Sequence, residues 1–296
     1  MSERDGLARD VPIIESLAAI AGRYDALLCD VWGVVHNGLE PFEPASRALT
    51  RFRETGGTVV LITNAPRPFG PVVQQLDRIG VPRTAYDAVV TSGDVTRALI
   101  VREGGGRIFH LGPRKDLGIY EGLEVARVEE AAATAVVCTG FLGDDSVGED
   151  TETPDEYRDM LLRFKARGLA MICANPDIVV ERGSELVYCA GALAAAYEKI
   201  GGRVLYAGKP HGPIYEEAIA RVASLRGDPV AKARLLAIGD GLRTDMAGAE
   251  AYGLDALFIP SGVHVASGRE LDQALIAELF RLTRFRPVAA IDELKW

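Results

Sequence analysis

The sequence predicts an α/β fold: a Rossmann-like core built on a parallel sheet and interrupted by an inserted α/β segment. Three observations carry that expectation. Short β-rich runs that end in a polar residue alternate with helical patterns, which is the rhythm of βαβ units. The intervals between runs are long enough to hold a helix, as parallel pairing requires. A second set of similar elements lies inside the first, between roughly Tyr86 and Tyr188.

In chain order, core strands are expected at Ala26 to Cys29, Thr58 to Ile62, Val204 to Tyr206, Leu235 to Ile238 and Ala256 to Ile259. Helical spacing of apolar residues fits Pro44 to Thr55, Pro68 to Ile79, Ala190 to Ile200, Ile214 to Leu225 and Asp245 to Tyr252. The inserted set comprises "AVVTSGDVTRALI", "GRIFHLG", "TAVVCTGF", a helix from Pro154 to Arg167, and "LAMICANPD". The acidic, turn-rich stretch "GFLGDDSVGEDTETPDEY" reads as a solvated loop before a helix capped near Thr153. The resulting division is 1–85 and 189–296 for the two parts of the core, and 86–188 for the insert.

With 296 residues, 48% of them hydrophobic, the chain has enough apolar surface for a substantial core. Its charged fraction of 25% holds no long single-sign block, which argues against disorder, and its net charge of -9 provides no basic surface for nucleic acid. An anionic ligand must therefore be held locally, by a few cations, backbone N–H groups or a metal. No run of about 18 apolar residues occurs, and "MSERDGLARDVP" is too polar for a secretory signal, so the expectation is a cytoplasmic protein without a membrane partner. Cys29, Cys138, Cys173 and Cys189 lie far apart in apolar runs and read as buried thiols. His36, His110, His211 and His264 show no zinc-binding spacing.

The informative pattern lies at the ends of the apolar runs. "ALLCD" ends at Asp30, "TVVLITN" at Thr63 and Asn64, and "LLAIGD" at Gly239 and Asp240. In an open parallel sheet the carboxyl ends of the strands share one edge, where ligands bind. Lys209, in "YAGKPHGPIYEEA", comes after another strand and opens a helix, so its ammonium is expected at the same edge. Two carboxylates aimed at one point repel unless a cation sits between them, and hard oxygen ligands suit Mg²⁺. A lone Asp after a strand is usually a cap or turn residue. Four such residues in order are harder to dismiss.

"DVWGV" (30–34), "LITN" (61–64), "GKP" (208–210) and "GDGLRTDMAGA" (239–249) resemble, in order, the four motifs of the haloacid dehalogenase-like hydrolases. The last resembles the form found in the class with a large α/β cap domain inserted between motifs two and three, the p-nitrophenyl phosphatase-like and sugar phosphatase-like group. The resemblance spans about residues 24–262 and includes "ANPD" (174–177) and "GALAAAYEKIGG" (191–202), which are similar to the exit from that cap. It implies a Mg²⁺-dependent phosphatase acting on a small phosphorylated metabolite, a sugar phosphate or nucleotide-like ester. Asp30 is then the nucleophile that forms an aspartyl-phosphate, and Thr63 and the backbone around Asn64 hold phosphoryl oxygens. Lys209 neutralises charge. Asp240 and Asp30 hold the metal together with the backbone carbonyl of Trp32, and Asp245 orients Lys209 or a metal-bound water. Caps of this kind often pair subunits, so a homodimer is a further expectation from the resemblance.

Trp32 is where the chain departs from that pattern. The family's phosphatases normally carry a second Asp there, which protonates the leaving oxygen and later activates water. Trp keeps the carbonyl but cannot transfer a proton. General acid-base catalysis is commonly worth about 10²- to 10⁴-fold, so slow turnover is expected before none. The alternatives are a phospho-ligand-binding sensor with little turnover, or phosphoryl transfer to an acceptor other than water. His36, in "VVHNG", is a candidate replacement acid, with a loop histidine bonded to backbone as its plainer reading. Arg67 and Asn175 are candidate substrate contacts, and Asn175 with Asp177 also suits an ordinary N-P-D turn.

Overall fold

The computed structural model describes residues 10–143, 152–182, 185–260, 270–283 and 285–296. Most of the acidic loop, 144–151, lies outside the described residues, as does His264.

The central apolar runs become strands that are buried along their whole length, whereas those at the margins of the second sheet are partly exposed. In chain order the strands are β1 (Ala26–Asp30), β2 (Thr58–Thr63), β3 (Ala88–Thr91), β4 (Arg107–Leu111), β5 (Ala126–Arg127), β6 (Ala135–Cys138) and β7 (Ala170–Cys173). A hairpin of β8 (Val179–Arg182) and β9 (Glu185–Tyr188) comes next, then β10 (Arg203–Tyr206), β11 (Leu235–Gly239), β12 (Asp255–Phe258) and β13 (Ala289–Ala290). Two sheets form, both with parallel pairings: β13-β12-β11-β1-β2-β3, and β10-β7-β6-β4-β5.

In the first sheet, alternate side chains serve opposite faces. Leu28, Val60, Ile62 and Ala237 pack with Ile214, Tyr215, Ala218 and Val222 of the helix Gly212–Arg226. Leu27, Cys29, Leu61 and Ile238 pack with Leu49 and Phe52 of the helix Glu43–Glu54 and Leu76 of the helix Phe69–Ile79. All residues of β1, β2 and β11 are buried, which is why they read as continuous apolar runs rather than alternating ones.

Two strands exchange sheets relative to the expectation. Val204 to Tyr206 is not a core strand: β10 pairs with β7 in the second sheet, Val204 opposite Met171. Ala88 to Thr91, expected in the insert, instead extends the first sheet, with Val89 opposite Leu61. Both are short apolar runs whose sheet is decided by long-range pairing, which local pattern does not encode. On strand membership we place the insert at about Arg107 to Tyr206, in place of 86–188. The helix Ser92–Glu103 joins the two parts, with Val95, Leu99 and Ile100 in one apolar cluster with residues of both sheets. The helix expected from Pro154 is present, opening on a 3₁₀ turn whose Glu156 carboxylate accepts from both the N–H and the hydroxyl of Thr153, a capping box. Among the described residues, no helix is long and apolar enough to cross a membrane.

Candidate active site

The parallel order β11-β1-β2 puts the C-terminal ends of three strands side by side, and the residues there are Asp240, Asp30 and Thr63. All three are buried. Lys209 lies just past β10, on the stretch that returns the chain from the second sheet to the first, and is 2% exposed. Its Nζ donates to Asp30 Oδ1 at 2.5 Å and to Asp245 Oδ1 at 2.9 Å. Asp245 is reached through one π-turn, Leu242–Met246, ahead of the helix Ala247–Tyr252. Its other oxygen accepts from the Gly241 N–H and the Thr244 hydroxyl. Gly239 is required for that close approach, since a Cβ there would lie 2.2 Å from the Asp245 Cγ.

Asp30, Asp240 and Asp245 bring one carboxylate oxygen each within 4.8 Å of one another. Burial raises the Asp30 carboxyl well above its ordinary range; Asp245 and Asp240 add to the rise, against Lys209. For Lys209, burial acts to lower the ammonium's pKa, but Asp245 and Asp30 outweigh it and hold the group charged. Three carboxylates face one ammonium. The cluster carries surplus negative charge on hard oxygen donors, and that donor set fits a divalent cation such as Mg²⁺.

Asn64 is a brace between strand ends. Its Oδ1 accepts from the Lys209 N–H at 2.7 Å, and its Nδ2 donates to the Lys209 carbonyl at 3.1 Å and to Asp177 Oδ1 at 2.9 Å. Thr63 Oγ1 accepts from the Ala65 N–H. The site is roofed by the loop after β7: Ser92 donates to the Ala174 carbonyl, and a Cβ on Gly208 would lie 2.4 Å from Asn64 Oδ1 and 2.7 Å from the Pro176 ring.

The sequence pattern of the haloacid dehalogenase-like hydrolases matches residues 27–126, and a HAD-hydrolase-like pattern matches 206–281. A solved haloacid dehalogenase-like hydrolase from Brucella suis 1330 is 51% identical, covers 95% of this chain and 99% of its own, and superposes with a TM-score of 0.81. The chain belongs to the haloacid dehalogenase-like hydrolases. It is an enzyme of their large-cap class, with the α/β core and second α/β unit of that fold. The ribonucleotide monophosphatase NagD of Escherichia coli K12 is 27% identical over 80% of this chain and 88% of its own. The glycerol phosphate phosphatase of Mycobacterium tuberculosis, solved in complex with magnesium, is 28% identical with a TM-score of 0.60, over 81% of this chain and 68% of its own.

Within this hydrolase, Asp30, Lys209, Asp240 and Asp245 meet, with Thr63 at the next strand end. Other candidates take different places. Arg67 is turned onto Gln75 of the adjoining helix, at 2.6 Å. Asn175 shapes its own turn, its Oδ1 accepting from the Asp177 N–H, and Asp177 is the residue that reaches Asn64. His36 takes its plainer reading: it is buried, and its Nδ1 accepts from the Gly38 N–H at 2.9 Å. Burial lowers its pKa to about 4. The stabilisation from neutral His36 is thus present above its unfolded value of about 6.5 and is lost as pH falls toward 4. At neutral pH it carries no proton to give. Sequence reasoning missed Ser92 and Gly93, where a Cβ would lie 2.3 Å from the Arg67 backbone; the "TSGD" of a helix start is their only local sign.

Trp32 is 45% exposed, with its ring edge-on to His36 at 5.6 Å between centroids. It lies over Gly38, where a Cβ would come within 2.4 Å of the indole. The indole closes a small turn, and its removal is a packing loss at a half-exposed position. Trp32→Asp is expected to lower stability by about 1–2 kcal/mol, below the range for a fully buried aromatic. It places a carboxyl two residues after Asp30, where the resemblance implies a proton donor, so kcat/KM on an alkyl phosphate should rise by about tenfold or more if no other carboxyl donates and by no more than a few-fold if one already does. Thermal melts and phosphate release measure both.

Proposed function

We propose that the protein is a Mg²⁺-dependent phosphatase of small phosphate monoesters, sugar phosphates or nucleotide-like metabolites, acting in the cytoplasm. The observation that carries this reading is the meeting of Asp30, Lys209, Asp240 and Asp245 at one sheet edge. The relatives named above act on a glycerol phosphate and on ribonucleotide monophosphates, and that chemistry suits this donor set.

Asp30 and Asp240, with the Trp32 carbonyl, would hold the cation, which supplies neutralising charge for the ester's oxygens when bound. Asp30 attacks phosphorus with its free oxygen, giving an aspartyl-phosphate that water later hydrolyses. Lys209 keeps Asp30 oriented and stabilises charge on the transferring group. Asp245 fixes Lys209, and the Thr63 hydroxyl donates to a phosphoryl oxygen. The second α/β unit excludes water and selects the alcohol.

The test is a panel of phosphorylated metabolites incubated with purified protein in Mg²⁺ and again in EDTA. Phosphate release that chelation abolishes supports the reading. Tight binding of an ester without release supports a sensor, and transfer to an added alcohol supports a phosphotransferase.

A further inference from the structure

A phosphatase without a carboxyl two residues after its nucleophile still needs a proton for a poor leaving group. Asp177 stands on the roof loop, with Oδ1 2.9 Å from Asn64 Nδ2, and the same Asn64 amide is bonded to both backbone groups of Lys209. The acid is thus tied by one side chain to the lysine that grips the nucleophile. The loop is seated firmly: Ser92 holds the Ala174 carbonyl, Gly208 passes against Pro176, and a Cβ on Gly191 would lie 2.1 Å from the Pro176 carbonyl oxygen. His36 is committed to Gly38, and Arg67 to Gln75.

We infer that Asp177 is the proton donor to the leaving oxygen, supplying from the cap the function that Trp32 lacks. This inference rests on the phosphatase reading above. As the Asp30–phosphorus bond forms and the ester P–O bond breaks, the bonding pair goes to the leaving oxygen, which takes the Asp177 proton and departs as an alcohol. Asp177 is left as a carboxylate. Water then attacks the aspartyl-phosphate and gives its proton to Asp177, which restores the acid and frees Asp30. Burial raises the Asp177 carboxyl above its ordinary range; Asn64 and Lys209 oppose the rise, while Asp245 and Asp240 add to it. A carboxyl that holds its proton more tightly than an exposed one is better suited to donate it.

The test is the leaving-group dependence of kcat/KM, which reports the steps through loss of the alcohol. Asp177→Asn keeps an oxygen for Asn64 and is expected to lower kcat/KM on an alkyl phosphate about 10²-fold or more. kcat/KM on p-nitrophenyl phosphate, whose leaving group needs no proton, should stay within a few-fold and so report an intact fold, while kcat falls on both esters because the water that frees Asp30 has lost its base. Asp177→Glu should recover part of the alkyl-phosphate rate. An equal loss of kcat/KM on both esters in both variants overturns the donor role while leaving the phosphatase reading standing. A wild-type protein inactive on both esters sinks the two together.

Discussion

Lys209→Ala is expected to lower stability by about 3–5 kcal/mol and turnover by about 10²- to 10³-fold. The lysine is buried and bonded to two carboxylates, with Asp240 close by. Removing it leaves a group of like charges with no protein cation, which is the costly way to break a buried ion pair. A loss of that size lowers Tm by roughly 6–20 °C. Mg²⁺ should return part of it, because a divalent cation supplies the charge the variant has lost. Lys209→Met keeps the stem's volume, so it separates packing from charge: it should melt at or above the alanine variant and be equally slow. Thermal melts with and without Mg²⁺, beside phosphate-release assays, measure these outcomes. A Tm unchanged in metal-free buffer would remove the ion pair from the account.

The site was legible where chemistry sits next to a strand end. Asp30, Thr63 and Asp240 each terminate an apolar run, and parallel order alone carries them to one edge. Lys209 was legible for a different reason than expected. Its strand belongs to the second sheet, and the residue reaches the site because the chain re-enters the core at Gly208. What stayed hidden depends on pairing across long stretches of sequence. The run Ala88–Thr91 looks like the strands of the insert, and only its register against β2 assigns it to the first sheet. Asp177 looks like part of an N-P-D turn, and it is one, since Asn175 bonds its N–H. Its contact with Asn64, 113 residues away, leaves no mark in the local sequence. Likewise, Trp32 reads in the sequence as a departure from the resemblance, and the packing of its indole on Gly38 and His36 appears only in three dimensions.

Asp30→Asn should separate activity from stability. The proposed nucleophile would be gone, so kcat/KM should fall by about 10⁴-fold or more, on p-nitrophenyl phosphate as well as on alkyl esters. That uniform loss distinguishes it from Asp177→Asn. Stability should move the other way, because burial beside Asp245 and Asp240 already disfavours the charged form of Asp30, and the amide removes that repulsion while keeping an oxygen for the Lys209 ammonium. In metal-free buffer the variant should melt at or above the wild type, by about 2–4 °C if the relief is near 1 kcal/mol. Added Mg²⁺ should raise its Tm less than it raises that of the wild type, since one anionic donor is lost. An inactive protein more stable than its parent marks a carboxylate kept for chemistry at the expense of folding. Retained turnover in the Asn variant would show that Asp30 does not carry the phosphoryl group, and an inactive variant that melts far lower would mean that its carboxylate serves the fold.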